Sequence, residues 1–302
     1  MAMKKLTLLI IDYNSGHHIL ELLDSLKYSS FKDYDFLILD NNSTKPEAVE
    51  ARSKIEKISN IKLIKLTKNI GLTGGVNEAI KYIKTKYVLL INPDTIIDKD
   101  TIKEMIDLIE SDEKIAFVSA AIYNYKHRNI IDSFGGKINF FTGIGKPLRA
   151  ENEIRALRFG EYCDACCLMF NREIFEELGK YDDRYFAYAE TEDVLFKAMK
   201  KGYKVYINPK AKVWHKLYGG SGGKRSKIAT YLLARNRILL MKKYLNLPKF
   251  SLFLFINLFA TMPIQTLLFI KRKQFDLMPS YYKGILHGLI GRYGNSFLNN
   301  HS

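Results

Sequence analysis

Three scarcities in the 302-residue sequence exclude several classes of protein. Glycine (19) and proline (7) are too few for a collagen-like or low-complexity chain. The three cysteines, Cys163, Cys166 and Cys167, lack a second ligand pair at zinc spacing, so we expect reduced, buried thiols. The first apolar run, residues 6–11, is too short for a signal peptide and leads directly into Asp12.

Acidic residues are nearly missing from the end of the chain. Residues 224–302 hold 13 Lys and Arg but one acid, Asp276, and so carry +12 of the total charge of +15. Within them, the 21 residues 250–270 are uncharged and flanked by lysines, which is long enough for a helix to cross a bilayer. Pro263 in the middle favours a broken, interfacial or re-entrant helix pair over a clean span.

We therefore expect residues 246–302 to form a basic, apolar helical tail that binds an anionic membrane surface at the cytoplasmic face. The alternative is a buried helix packed on the rest of the protein. Because the excess positive charge is confined to this apolar tail, the sequence does not indicate nucleic-acid binding.

The first 110 residues alternate between strand and helix patterns. We predict strands at 6–11, 36–39, 61–66 and 87–91, and helices at 17–28, 46–58, 75–84 and 100–110. This alternation predicts an α/β fold with a mostly parallel mixed sheet and helices on both faces. The second half is less regular, with a hairpin over 130–147, strands at 162–169 and 205–207, and helices at 172–178 and 190–201.

A short polar segment follows each of the first four predicted strands. These segments are DYNSG (12–16), DNNS (40–43), NIGLTGG (69–75) and NPDT (92–95). Since ligands bind at the carboxyl ends of strands in such sheets, the four segments predict one site. Neither G-x-G-x-x-G nor G-K-[ST] is present, which argues against a dinucleotide fingerprint or a P-loop. The glycine-rich third segment can still present backbone N–H groups to a diphosphate.

Acidic residues also open the predicted helix 190–201. Glu190 and Asp193 lie three apart and share a helix face, whereas Glu192 points away from it. Acidic side chains in the first turn of a helix also interact favourably with its dipole, so helix capping alone is a simpler explanation of this cluster. Further along, His215 precedes the glycine-rich segment 218–223.

The order of these segments resembles the inverting family-2 glycosyltransferases, and among them the rhamnosyltransferase-like branch. The matching pieces are IIDYNSG, ILDNNST, KNIGLTGGVNEAI, YVLLINPDT, the block from CDACC to KKGYKVY, and VWHKLYGGSG followed by Arg235-Asn236-Arg237. The resemblance covers residues 5–245 and implies a GT-A fold. Residues 1–110 would form a Rossmann-like nucleotide-binding half and residues 111–245 an acceptor half, with the tail following.

The resemblance also implies which residues bind the donor and a metal. Asp40 would accept a hydrogen bond from the N3–H that uracil and thymine share, which favours a UDP- or dTDP-sugar. Asp94 stands where the family has its D-x-D motif, and with His215 it would bind Mg²⁺ or Mn²⁺. Further donor-binding candidates are Tyr13, Asn14, Asn42, Asn69, Gly71, Gly74, Asn77 and Asn92. Arg235 and Arg237 are candidates for diphosphate or acceptor contacts, although solvated helix charges explain them equally well.

One departure from the family concerns the catalytic base, which must take a proton from the acceptor hydroxyl. Aligned through the K-G-Y that ends the helix, the family's usual Asp falls on Thr191, which is no base at neutral pH. The role passes to Glu192 or Asp193, or to Glu190 with Asp193 orienting it; we favour Asp193 and Glu190. A second departure is Asp164, where the family generally has glycine.

We therefore expect a metal-dependent inverting glycosyltransferase that moves rhamnose or another hexose to a glycan or lipid-linked glycan. A sugar-phosphate nucleotidyltransferase is an alternative, but DYNSGHH lacks the Arg- and Lys-bearing glycine-rich loop typical of those enzymes. A non-catalytic, basic membrane-associated protein is another, and the acids at the predicted sheet edge argue against it. Thr191 also leaves open a weakened relative that binds donor without turnover.

Overall fold

The computed structural model describes residues 4–216 and 226–294. Its strands are β1 (Leu6–Asp12), β2 (Tyr34–Asp40), β3 (Ile61–Lys65), β4 (Tyr87–Ile91), β5 (Thr95–Ile97), β6 (Ile115–Asn124), β7 (Ile131–Ser133), β8 (Gly136–Asn139), β9 (Ile144–Pro147), β10 (Arg155–Ala156), β11 (Glu161–Tyr162), β12 (Cys167–Asn171) and β13 (Lys204–His215). Its helices are α1 (His18–Leu26), α2 (Pro46–Ile55), α3 (Gly71–Ile80), α4 (Thr101–Ile109), α5 (Arg172–Glu177), α6 (Glu190–Lys200), α7 (Lys227–Tyr244), α8 (Leu247–Ile256), α9 (Met262–Lys271) and α10 (Met278–Leu289).

The main sheet has the strand order β10-β13-β6-β12-β4-β1-β2-β3, with β5 paired to β13 and β7 to β6. Strands β1 to β4 run parallel to one another, and β13 runs parallel to β6, while β12 is antiparallel to both β4 and β6. A small second sheet contains β11, β8 and β9. The predicted mixed, mostly parallel sheet is confirmed.

Helices cover both faces of the main sheet. Because side chains alternate along a strand, Leu8 joins one core and Leu9 the other. The first core also takes apolar residues from α1, α2 and α4, and the second takes residues from α3, α5 and α6. The prediction that helices cover both faces of the sheet is therefore confirmed.

Three features of the central region differ from the sequence predictions. We did not predict β6, whose first eight residues are all buried, because three alanines and Ser119 interrupt the β-branched and leucine-rich run by which β1 and β4 were recognised. Helix α3 begins at Gly71 and not at residue 75, so the glycine-rich segment forms its first turn. The strand predicted at 162–169 is β12, Cys167–Asn171, and the three cysteines are free and buried as expected.

The tail contains one continuous apolar helix instead of a broken pair. Residues Leu247–Lys271 are long and apolar enough to cross a membrane. The expected break at Pro263 is replaced by a π-helical segment, Asn257–Thr261, just before it. Helix α10 returns to pack on α7, where a Cβ at Gly284 would lie 2.4 Å from the Tyr231 carbonyl oxygen. The glycine-rich segment 218–223 lies outside the described residues.

Candidate active site

Strand pairing brings Asp94 next to His215. The antiparallel pairing of β5 with the end of β13 places His215 opposite Thr95. His215 Nε2 then lies 3.1 Å from Asp94 Oδ1, and the two side chains are 18% and 16% exposed. Burial raises the pKa of Asp94, but the hydrogen bond and charge of His215 outweigh it, so the pKa lies below its ordinary value.

The Asp94–His215 pair fits a divalent metal ion. Neighbouring ligands of a six-coordinate Mg²⁺ or Mn²⁺ stand about 3 Å apart, which matches the observed separation. One carboxylate oxygen and one imidazole nitrogen are suitable ligands, with water and diphosphate oxygens left to complete the shell. Another group of potential ligands, His17, His18 and Glu21, lies at the start of α1. There the Lys216 ammonium already contacts His18 and Glu21.

Asp40 organises the segment at the end of β2. It is 1% exposed and accepts hydrogen bonds from Arg52 and, at 3.0 Å, from the Ser43 backbone N–H. Asn14, with a left-handed φ of 58°, joins the neighbouring segment to this one by accepting from two backbone N–H groups in residues 44–45. Tyr13 is 46% exposed beside them. Asn42, at the turn itself, also has a left-handed φ, of 64°.

The glycine-rich segment is fixed by asparagines. Asn69 accepts from the Gly71 N–H at 2.8 Å, and the side chain of Asn41 donates to the Gly71 carbonyl at 3.0 Å. Gly71 has φ 76°, and a Cβ there would lie 2.3 Å from the Phe186 carbonyl oxygen, so only glycine fits. The start of α3 is thereby held against the segment that precedes α6.

Two candidates for binding the sugar-nucleotide donor lie further along α3. Gly74 and Asn77 line a separate cavity together with Tyr181 and Asp183. The Asn77 amide donates to the Tyr181 carbonyl at 2.9 Å and to Asp183 at 2.7 Å. Asn77 therefore ties α3 to the loop before α6.

Four predicted site residues line one cavity of about 590 Å³, here called the acid cavity: Asn92 from the first half, and Glu190, Glu192 and His215 from the second. Asp40 and Asp94 are not among its lining residues. Its polar lining includes Asn92, Asp132, Ser133, Tyr162, Asp164, Tyr188, Glu190, Thr191, Glu192 and His215. Asp164 accepts a hydrogen bond from Ser133 on the same wall. A residue that departs from the family pattern thus lies among the candidate catalytic groups.

Two acids in this cavity have strongly shifted pKa values. Glu190 is 4% exposed, accepts a hydrogen bond from Thr191 at 3.3 Å, and leaves its Oε2 without a partner. Burial raises the pKa of Glu190 to about 7. Burial, together with the charge of Glu190, raises the pKa of the partly exposed Glu192 to about 8. Both carboxyl groups can exchange a proton near neutral pH.

Asp193 has a different environment. It is 0% exposed, pairs with Lys243 at 2.6 Å and with Lys197 at 3.3 Å, and accepts from the Tyr244 hydroxyl at 3.0 Å. Its carboxylate is directed to α7 and is not part of the acid-cavity lining. Of the two acids favoured from the sequence, only Glu190 lines the cavity. The acid beside it is the alternative candidate Glu192, which helical spacing had placed on a different face.

The backbone before α6 is strained and is held by α7. Phe186, Tyr188 and Ala189 have left-handed φ values of 67°, 68° and 69°, which cost free energy in residues other than glycine. Asn236 donates to the carbonyls of residues 187 and 188, both at 2.8 Å. Arg235 donates to the carbonyl of Tyr185 at 2.8 Å. We call Arg235 and Asn236 the clamp, because together they hold the backbone segment that precedes Glu190 and Glu192.

The clamp gives Arg235 a role other than the expected one. Arg235 is 0% exposed, so in this conformation its guanidinium faces protein carbonyls and not a diphosphate. The side chain of Arg237 lies against Gly143 in the hairpin between β8 and β9. No sequence signal pointed to the clamp, because the strained segment contains no glycine.

Comparisons with known proteins give a consistent identification. The model of the family "Glycosyl transferase family 2" matches residues 7–179, more than half of the chain. Low-salt glycan biosynthesis hexosyltransferase Agl10 of Haloferax volcanii is 23% identical over 295 residues, covering 96% of this chain and 92% of that protein.

Two solved glycosyltransferase structures share the fold. The mannosyltransferase PcManGT from Pyrobaculum calidifontis, in complex with GDP-Man and Mn²⁺, has a TM-score of 0.59 at 14% identity, over 97% of this chain and 89% of that one. GalNAc-T7 with UDP, GalNAc and Mn²⁺ has a TM-score of 0.60 at 16% identity. The match covers 77% of this chain and 48% of GalNAc-T7, so this chain spans about half its length. The chain belongs to glycosyl transferase family 2 and is a glycosyltransferase with a GT-A fold.

Proposed function

We propose that this enzyme transfers a hexose, rhamnose or another, from a pyrimidine nucleoside diphosphate sugar to a glycan or lipid-linked glycan, with inversion and with a divalent metal. The observation that carries the proposal is the acid cavity itself. Glu190 and Glu192, whose raised pKa values let them bind protons near neutral pH, line the same cavity as Asn92 and His215. A proton acceptor close to a metal-binding imidazole is what metal-dependent sugar transfer requires.

The donor nucleotide would lie over the carboxyl ends of β1 and β2. Exposed Tyr13 offers a ring face for a base, and Asp40 keeps acceptor capacity for an N3–H beside its bonds to Arg52 and Ser43. Structural relatives bind UDP in one case and GDP-Man in another. We favour uracil or thymine, because the N3–H that they share donates a single hydrogen bond to a carboxylate.

Asp94 and His215 would hold Mg²⁺ or Mn²⁺. The ion supplies positive charge that stabilises the departing diphosphate. Imidazole is a better ligand for Mn²⁺ than for Mg²⁺, and both structural relatives described above were solved with Mn²⁺. Asn92, at the same cavity, is placed to contact the donor beside this pair.

Glu192 is the group we propose as the base. Its carboxylate accepts the acceptor hydroxyl proton as the hydroxyl oxygen bonds to the anomeric carbon. The bond from that carbon to the diphosphate oxygen breaks, and the nucleoside diphosphate leaves with the electron pair. Glu190 lies beside Glu192, and its charge keeps the proton affinity of Glu192 high.

The tail helix would place the enzyme at the cytoplasmic membrane face. Large apolar side chains of Leu247–Lys271 are exposed, among them Phe255 (61%), Phe259 (70%) and Leu267 (64%). An exposed apolar face of this kind, flanked by lysines, suits an anionic bilayer. At the membrane surface the enzyme would encounter an acceptor that is attached to a lipid.

Nucleotide-dependent stability tests the proposal. The full chain is melted with UDP, dTDP, GDP or NAD, each with Mn²⁺ and with EDTA, since ligand at about 100 times Kd adds about 2.7 kcal/mol. We expect stabilisation by UDP or dTDP in Mn²⁺ and its loss in EDTA. Stabilisation by GDP alone would contradict the pyrimidine assignment, and no stabilisation by any nucleotide would contradict the proposed donor site.

A further inference from the structure

A second cavity, distinct from the acid cavity, has no part in the mechanism above. It has a volume of about 400 Å³ and its walls include Phe140, Phe141, Phe159, Tyr244, Leu252 and Lys249. It lies where the tip of the β8–β9 hairpin meets the junction of α7 and α8. We call it the aromatic cavity.

The aromatic cavity is preorganised for an apolar guest. Phe140 and Phe159 stack with centroids 5.8 Å apart and planes 7° apart, and Phe159 lies 5.9 Å from the ring of Tyr244. Phe141 is 59% exposed and Leu252 is 45% exposed, so the rim is apolar and open. Stacked rings that already have their bound arrangement lose little entropy when an apolar chain enters.

The rim continues into the face of the tail helix. Leu252 belongs both to the cavity wall and to the helix Leu247–Lys271. Only 22% of the most apolar stretch of this helix is buried. Phe255, next along this helix, is 61% exposed. A chain leaving a lipid surface at this helix would therefore enter the cavity without crossing a polar barrier.

Positive charge lies at the same place. Lys249 is part of the wall, and the Lys200 ammonium lies 5.5 Å from the Phe159 ring centroid and 4.8 Å from that of Tyr244. No acidic side chain is among the residues that line this cavity in the described part of the chain. An apolar cavity with ammonium groups at its edge is complementary to an apolar chain that ends in a phosphate.

Helix α6 joins the two cavities. It begins with Glu190 in the acid cavity and ends at Lys200 beside the aromatic cavity, a rise of about 15 Å at 1.5 Å per residue. We propose that the aromatic cavity binds the apolar chain of a phosphate-linked lipid acceptor, whose glycan reaches Glu192 in the acid cavity. This inference rests on the proposed function and narrows its acceptor to a lipid-linked glycan.

Equilibrium dialysis of dodecyl phosphate, below its micelle concentration, tests the assignment on the full chain. We expect Phe141→Ser to weaken binding by about tenfold or more, because the dodecyl chain would lose its contact with the phenyl ring. Ile144→Ser is the matched control, since Ile144 is 45% exposed on the same hairpin but does not line the cavity. We expect it to bind dodecyl phosphate like the wild type. Leu252→Ser provides a second cavity variant if Phe141→Ser folds poorly.

Three results would overturn the assignment. The first is equal affinity in the cavity variants and the control. The second is competition by dodecyl maltoside as strong as that of dodecyl phosphate, since the phosphate would then play no part. The third is competition by inorganic phosphate alone. Binding of UDP with Mn²⁺ is measured on the same samples, and its absence in the wild type would refute the proposed donor site. The dodecyl phosphate result would still test the aromatic cavity independently.

Discussion

His215 Nε2 lies 3.1 Å from Asp94 Oδ1, although 121 residues separate the two in the chain. The contact exists because the short strand β5, which follows Asp94 directly, pairs antiparallel with the end of β13. The segment NPDT lacks the first acid of the family's metal motif, and in the proposed site the imidazole from a distant strand would supply a second ligand atom beside the remaining carboxylate. The proposed metal site is thus a product of sheet topology.

We expect Glu192→Gln to slow sugar transfer by about 10²- to 10⁴-fold while leaving donor affinity unchanged. The substitution keeps the size of the side chain and removes the proton-accepting carboxylate. Steady-state kinetics and nucleotide binding on the same preparation separate kcat from affinity. Glu190→Gln is the companion variant, and a large loss there combined with normal turnover in Glu192→Gln would assign the base to Glu190.

Asp193 is expected to matter for stability more than for chemistry. Asp193→Asn leaves the Lys243 ammonium with Asp182 alone, at 2.8 Å. Breaking a buried ion pair costs about 3 kcal/mol or more, which urea denaturation will measure. In the double variant Asp193→Asn/Lys243→Met the loss should be smaller than the sum of the single losses. Unchanged stability with abolished transfer would instead give Asp193 a direct catalytic role.

The pH dependence of folding stability reports on the cavity acids. The pKa values of Glu190 and Glu192 rise on folding from 4.5 to about 7 and about 8. Their contribution to stability is therefore complete below about pH 4.5 and is lost as pH rises through about 7 to 8. Glu192→Gln should flatten this fall, whereas Glu173→Gln, whose side chain is 75% exposed, should not. Identical slopes in wild type and Glu192→Gln would contradict the raised pKa of Glu192.

The clamp should affect turnover as well as stability. Asn236→Ala removes the donors of three carbonyls in the strained segment, at a cost of about 2 to 3 kcal/mol. We expect kcat to fall while donor affinity stays, because Glu190 and Glu192 lose their fixed backbone. The control is Asn171→Ala, which removes the N-cap of α5 and should cost about 1 kcal/mol without changing kcat. Matching kinetic profiles in the two variants would reduce the clamp to a purely structural role.

The parallel half of the fold was predictable because short apolar runs alternate with amphipathic helix patterns, as residues 6–11 and 17–28 illustrate. Strand β6 was not predictable, since its alanines and serine interrupt the β-branched run that marks a strand. At the site, helical spacing grouped Glu190 with Asp193, but spacing does not reveal that Lys243 on a later helix binds Asp193. The left-handed backbone before α6 was equally hidden, because tertiary hydrogen bonds and not glycine sustain it.

Calorimetric titration of UDP and dTDP into the wild type and into Asp94→Asn, with Mn²⁺ and with EDTA, tests the central claim most directly. We predict binding to the wild type only in Mn²⁺ and a loss of that metal dependence in Asp94→Asn, with the remaining affinity equal in Mn²⁺ and EDTA. His215→Ala should weaken metal-dependent binding by about 10- to 100-fold. Unchanged, Mn²⁺-dependent affinity in Asp94→Asn would contradict a metal site built on Asp94 and His215.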